Sequence, residues 1–239
     1  MFPLSLLLAS HVIVCLLAAA KLYRSYLKGK DANVRDFQMV YTTLGIYFAL
    51  QIILGAATRP PFVIATLQAF TEALLTLPIL FFFRIVFRIL GKPSLSKIFH
   101  ILAAGFIIAE IAFLSFMPRP SLFMEIPPFF YWRYSYSYQN GIAPFMFFDF
   151  VRVVAGITVM ALFFWLGQAS IGALRKRLLL ITSGFLLLPG GLAAGILTAV
   201  VLPPNLFWIG YLVGISCALL GLLLSLAGVY HKIPQQNRA

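Results

Sequence analysis

The sequence predicts an all-α integral membrane protein, a seven-transmembrane helix bundle with its N-terminus outside and its C-terminus in the cytoplasm. Three observations carry that prediction. Of the 239 residues, 62% are hydrophobic and only 10% are charged, whereas soluble domains run near half apolar and a quarter charged. Seven apolar stretches, 2–20, 38–57, 62–83, 98–117, 149–171, 178–201 and 206–230, are each long enough to cross about 30 Å of hydrocarbon. The cations then alternate with the spans. With the N-terminus outside, the inner segments 21–37, 84–97, 172–177 and the tail from 231 hold 14 of the 18 basic residues. The outer side receives Arg59, Arg119, Arg133 and Arg152 and no lysine, which is the bias that orients helices in bilayers.

The first stretch ends in Leu-Ala-Ala-Ala like a leader peptide, but no Lys or Arg precedes it. Lys21 and Arg24 follow it instead, so the reading is a retained helix with its N-terminus out. The second span carries a weak polar face, Tyr47 and Gln51. The third carries a stronger one: Gln68, Glu72 and Thr76 recur at i, i+4 and i+8 and share one helix face. Beyond it, residues 84–90 place Arg84 and Arg88 one turn apart at the headgroup boundary, and Gly91 and Pro93 end that extension. The fourth span contains small residues (Ala103, Ala104, Gly105, Ala109, Ala112) and Glu110.

Residues 118–148 form an outer loop crowded with aromatics, among them Trp132, Tyr134, Tyr136 and Tyr138. Tyrosine alternates with serine over 134–138, which suits a short strand, and Asn140-Gly141 suits a hairpin turn. The loop reads as an aromatic belt at the outer interface or as a platform on which those four residues meet a ligand. Asp149 and Arg152, three apart, are expected to form a local ion pair at the start of the fifth span. Pro189-Gly190-Gly191 in the sixth span predicts a kink or unwound turn. Gly191 with Gly195, and Gly210 with Gly214, allow close helix packing. Short connections at 58–61 and 203–205 make their flanking helices antiparallel neighbours.

Charge inside hydrocarbon is costly and marks function. His11, Gln68, Glu72, Glu110 and Pro189 therefore form an expected polar pocket near the bilayer middle. Its alternative is a set of interhelical hydrogen bonds with both carboxyls neutral. Cys15 and Cys217 lie in apolar segments with no metal-ligand spacing, and neither a metal nor a cofactor is expected. Bound haem would need paired histidines at one depth, and His11 and His100 sit at different depths. The last span has no lysine for a retinal Schiff base, and the hydrolase and zinc-protease motifs are absent. The net charge of +12 follows the membrane rather than nucleic acid, because the cations flank apolar segments.

The seven-span plan, the basic first loop from Lys21 to Arg35, Leu90-Gly91-Lys92-Pro93 after the third span and Arg175-Lys176-Arg177 opening the sixth form a pattern. It resembles the seven-transmembrane input domains of prokaryotic sensor kinases. That resemblance implies ligand or membrane-state sensing coupled to a cytoplasmic output domain. Only nine residues run from His231 to the end, so output would fall to another chain. The expectation is thus a cell-membrane protein, one domain over 1–239, acting in signalling through a partner protein. A small proton-coupled transporter using Glu72 or Glu110 is the alternative, although the first half shows no helix break to match Pro189, as an inverted repeat would require. A lipid-modifying enzyme using His11 and the glutamates comes third, since no nucleophile accompanies them.

Overall fold

The computed structural model describes residues 2–56, 61–116, 121–126, 129–134, 143–201 and 207–231. They form, in order, α1 (Phe2–Gly29), α2 (Ala32–Ala56), α3 (Pro61–Leu74), α4 (Thr76–Ile89), α5 (Pro93–Phe116), β1 (Ser121–Ile126), β2 (Phe129–Tyr134), α6 (Ala143–Ala169), α7 (Gly172–Val201) and α8 (Phe207–Tyr230). Among the described residues the regular structure is helical apart from the two-stranded hairpin. Among the described residues six helices are long and apolar enough to cross a membrane, with the α3–α4 run counted once. Large apolar side chains face outward along them: Ile101 is 74% exposed and Ile108 is 68% exposed. Water would not tolerate that surface and lipid does, so this is a membrane protein.

The first basic segment is helix rather than loop. Residues 21–29 contain strong helix formers such as Leu, Lys and Arg, which extend α1, and only Lys30 and Asp31 separate it from α2. Lys30 takes φ 51° and its N–H donates to Tyr26 O at 2.7 Å, closing the last turn in left-handed backbone. Asp31 Oδ1 then accepts from Asn33 N at 2.7 Å and caps the start of α2.

The chain divides into two compact units, Met1–Ala155 and Gly156–Ala239. In the first, the α3–α4 run is central: 56% of its span is buried, against 6% for α5. Phe83 and Phe87 of α4 meet Phe99 of α5 with ring centroids 4.6 and 5.1 Å apart. Phe148 of α6 sits against Phe106 of α5 at 5.1 Å. The α4 helix stops at Gly91, φ 69°, where Gly91 N donates to Arg88 O and Lys92 N to Phe87 O. These bonds cap the end of α4 before Pro93 opens α5.

The described hairpin covers Ser121–Ile126 and Phe129–Tyr134. β1 and β2 pair antiparallel with Ile126 opposite Phe129 and Ser121 opposite Tyr134. Runs such as Phe130-Tyr131-Trp132 favour strands, and Pro127 and Pro128 have no N–H to continue the ladder. Only Tyr134 is shared with the expected strand; Tyr136, Tyr138 and Asn140-Gly141 lie outside the described residues. β2 runs beside α1 and α2.

In the second unit, α7 and α8 are held by a glycine seam. A Cβ on Gly184 would meet Gly221 O at 2.4 Å, and one on Gly191 would meet Cys217 Cβ at 2.5 Å and Gly214 O at 3.0 Å. A Cβ on Gly228 would meet Ile181 Cγ1 at 2.8 Å and Arg177 O at 3.1 Å. Glycine therefore recurs every seven residues on both helices, and the backbones approach as only small residues permit. The helix continues through Pro189 without interruption, so the expected unwinding there does not occur.

Candidate functional site

The α3–α4 run is broken at a single residue. Leu75 has helical φ −65° but ψ −17°, and its N–H reaches back only three residues, to Glu72 O at 3.0 Å. Proline explains why the helix restarts. Pro78 has no N–H to give a continuous ladder. With the break at Leu75 it falls instead in the first turn of α4, where backbone donors lack intrahelical partners in any helix. No side chain caps that turn. Buried Thr76 Oγ1, at its first position, has no hydrogen-bond partner.

Glu72 O takes the Leu75 N–H, and a carbonyl oxygen has a second lone pair to offer a further donor. Arg152 of α6 supplies one: its Nη1 donates to Glu72 O at 2.9 Å and also to Glu110 Oε1 of α5 at 2.5 Å. Glu110 is fully buried and Arg152 is 7% exposed. Three segments, α3, α5 and α6, thus converge on one guanidinium. Glu110 stands six residues before the end of α5, about 9 Å along the helix.

The sequence-predicted residues fall as follows. Glu72 and Glu110 are brought together through Arg152, Glu72 by its carbonyl and with its own side chain half-buried. The Gln68–Glu72–Thr76 stripe is interrupted by the break at Leu75, and the Gln68 side chain lies outside the described residues. His11 is fully buried; its Nδ1 donates to Leu7 O at 2.6 Å and its ring packs against Phe48, tilted by 43°, with centroids 4.5 Å apart. Those partners tie it to the α1–α2 pair. Pro189 belongs to the second unit. The backbone of Trp132 and Tyr134 is in β2, and their side chains lie outside the described residues. The local pairing expected of Arg152 is replaced by one across helices, with Glu110; the Asp149 side chain lies outside the described residues.

Sequence reasoning missed two things. Pro78 sits in plain view within the third span and signals the break. Arg152, three residues into an apolar stretch, needs a buried carboxylate, and Glu110 was available.

A second charged cluster joins the start of α2 to the end of α4. Asp36 is 1% exposed. Arg88 Nη2 donates to its Oδ2 at 2.6 Å, and Arg88 Nη1 donates to Asn33 Oδ1 at 2.6 Å. Arg84 Nε lies 3.3 Å from the same Oδ2, and Arg35 Nε lies 3.9 Å from Oδ1. Three arginines therefore surround one carboxylate. Elsewhere, an open groove of about 370 Å³ on α7 is lined by Arg175, Lys176 and Leu179 among others. Among the described residues no three His, Cys, Asp or Glu side chains gather as a metal site would require.

No family model, no curated protein and no solved structure matches this chain.

Proposed function

We propose that the chain is a seven-span cell-membrane protein, N-terminus out and C-terminus in the cytoplasm, that couples proton movement to transport of a small solute. The observation that supports this most is the buried Arg152, held jointly by the Glu110 carboxylate and by the Glu72 carbonyl beside the Leu75 turn. A broken helix lined by ionisable groups is a recurrent design for transporter sites. α7, at 30 residues, supplies the seventh span.

In this reading ionised Glu110 locks Arg152. A proton on Glu110 cancels that charge and releases the guanidinium, still held by the Glu72 carbonyl, toward the incoming solute. Uptake from one face breaks one ion pair and makes one O–H bond; release to the other face breaks that O–H bond and restores the ion pair. The test is proton flux in reconstituted vesicles carrying a pH-sensitive dye. E110Q should lower flux at least tenfold while leaving the protein folded; flux undiminished in E110Q overturns the proposal.

The hairpin beside α1 and α2 favours a second reading, a signalling-accessory protein whose outer segment meets a ligand and whose basic inner ends meet a partner chain. Cross-linking in intact cells that captures one reproducible membrane partner through 21–30, together with no flux in vesicles, would select it over transport.

A further inference from the structure

We propose that Arg84 and Arg88, braced by Asp36, bind the phosphate of an anionic phospholipid headgroup. The argument begins with charge. Arg35, Arg84 and Arg88 carry three positive charges against the one carboxylate of Asp36, so the cluster keeps a surplus of two. Asp36 Oδ2 already takes Arg88 at 2.6 Å and faces Arg84 at 3.3 Å, while its Oδ1 has no hydrogen-bond partner and lies 3.9 Å from Arg35 Nε. The Arg84 Nε is nevertheless buried with no hydrogen-bond partner, a donor at the centre of the cluster that Asp36 does not satisfy.

Depth and access follow. Arg84 stands five residues before the end of α4, about 7 Å along the helix, and Asp36 stands four residues after the start of α2, about 6 Å. That is the thickness of the headgroup layer flanking the hydrocarbon. The Arg84 and Arg88 side chains are 21% and 31% exposed although Arg84 Nε itself is buried, so a headgroup would meet the parts of the two side chains left accessible. Asp36 and Asn33 fix the Arg88 fork in place, so little side-chain freedom is lost when an anion arrives. Guanidinium forks match phosphate oxygens bidentately, and basic pockets between helices at this level are a known lipid-binding chemistry. A free phosphate offers the same oxygens, but only a lipid brings them to the membrane boundary with acyl chains to cover the apolar flank of α4.

The test uses the full purified chain in neutral detergent. Phosphatidylglycerol, added to about ten times its Kd, should raise Tm by about 3–6 °C; phosphatidylcholine and inorganic phosphate should not. R84Q should weaken phosphatidylglycerol binding at least fivefold. If R84Q does not fold, R84K carries the test, because lysine keeps the charge and loses the fork; at least threefold weakening is expected. Equal response to both lipids, an equal Tm rise from inorganic phosphate alone, or undiminished binding in a folded variant each overturns the assignment.

Discussion

At the scale of single residues, the central question is what a buried guanidinium needs. Arg152 has a carboxylate and a carbonyl within 3 Å, and removing the cation leaves Glu110 buried without its countercharge. Breaking such a pair costs about 3–5 kcal/mol. R152M should therefore lower Tm by many degrees, whereas the double variant R152M/E110L should recover much of the loss. The coupling between the two substitutions, measured by thermal melts of all four proteins, is expected to exceed about 1 kcal/mol. Simple additivity would mean that the two side chains do not meet.

A second residue-scale prediction concerns Gly184. Its missing Cβ faces backbone, Gly221 O, at 2.4 Å, so G184V must push α7 and α8 apart. A loss of about 1–3 kcal/mol is expected. G190V should be nearly silent in the same melt, because a Cβ on Gly190 meets nothing within 4 Å.

At the scale of elements, the α3–α4 break is the feature with most to test. P78A restores the N–H that a continuous helix requires. It should leave Tm nearly unchanged, since proline in the first turn of a helix is tolerated. Transport should fall all the same, because an N–H at 78 pairs with the Leu74 carbonyl and stiffens the segment that carries Glu72. Flux and melting curves measured on the same preparation separate these effects; full flux in P78A would show that the break is not part of the working machinery.

What could be read from the sequence follows the physics of each element. Helices announce themselves by apolar length, so the spans were legible even where boundaries moved. The extension of α1 to Gly29 was not, because the argument tracked hydropathy, and a helix continues into water for as long as its residues favour it. Glu110 stood out because a carboxylate in an apolar run is conspicuous. Its partner did not, since Arg152 lies 42 positions away and only the packing of α5 on α6 unites them. Two glycines of the α7–α8 seam, Gly191 and Gly214, lay in the four-residue motifs; the seven-residue spacing that joins Gly184, Gly221 and Gly228 to them is the better signal for an antiparallel pair.

At the scale of the whole molecule, threading is the decisive prediction. In a C15A/C217A background, single cysteines at Lys28 and Arg175 should react with an impermeant maleimide from the same side of sealed vesicles. A cysteine at Ser121 should react from the other side. The loop charges predict this pattern, and only an odd number of crossings in 1–231 places the two ends on opposite faces. Reaction of Lys28 and Arg175 positions from opposite faces would refute the seven-span reading and the orientation with it.

The glycine seam also limits how this protein could change shape. Gly184 fits against Gly221, and Gly191 against Gly214, at intervals of two helical turns. Sliding α7 along α8 by one turn would drive side chains into the slots that hydrogen now occupies, and the next permitted register lies about 10 Å away. The α7–α8 pair behaves as a ratchet with no half-step, and piston motion within it is blocked by backbone.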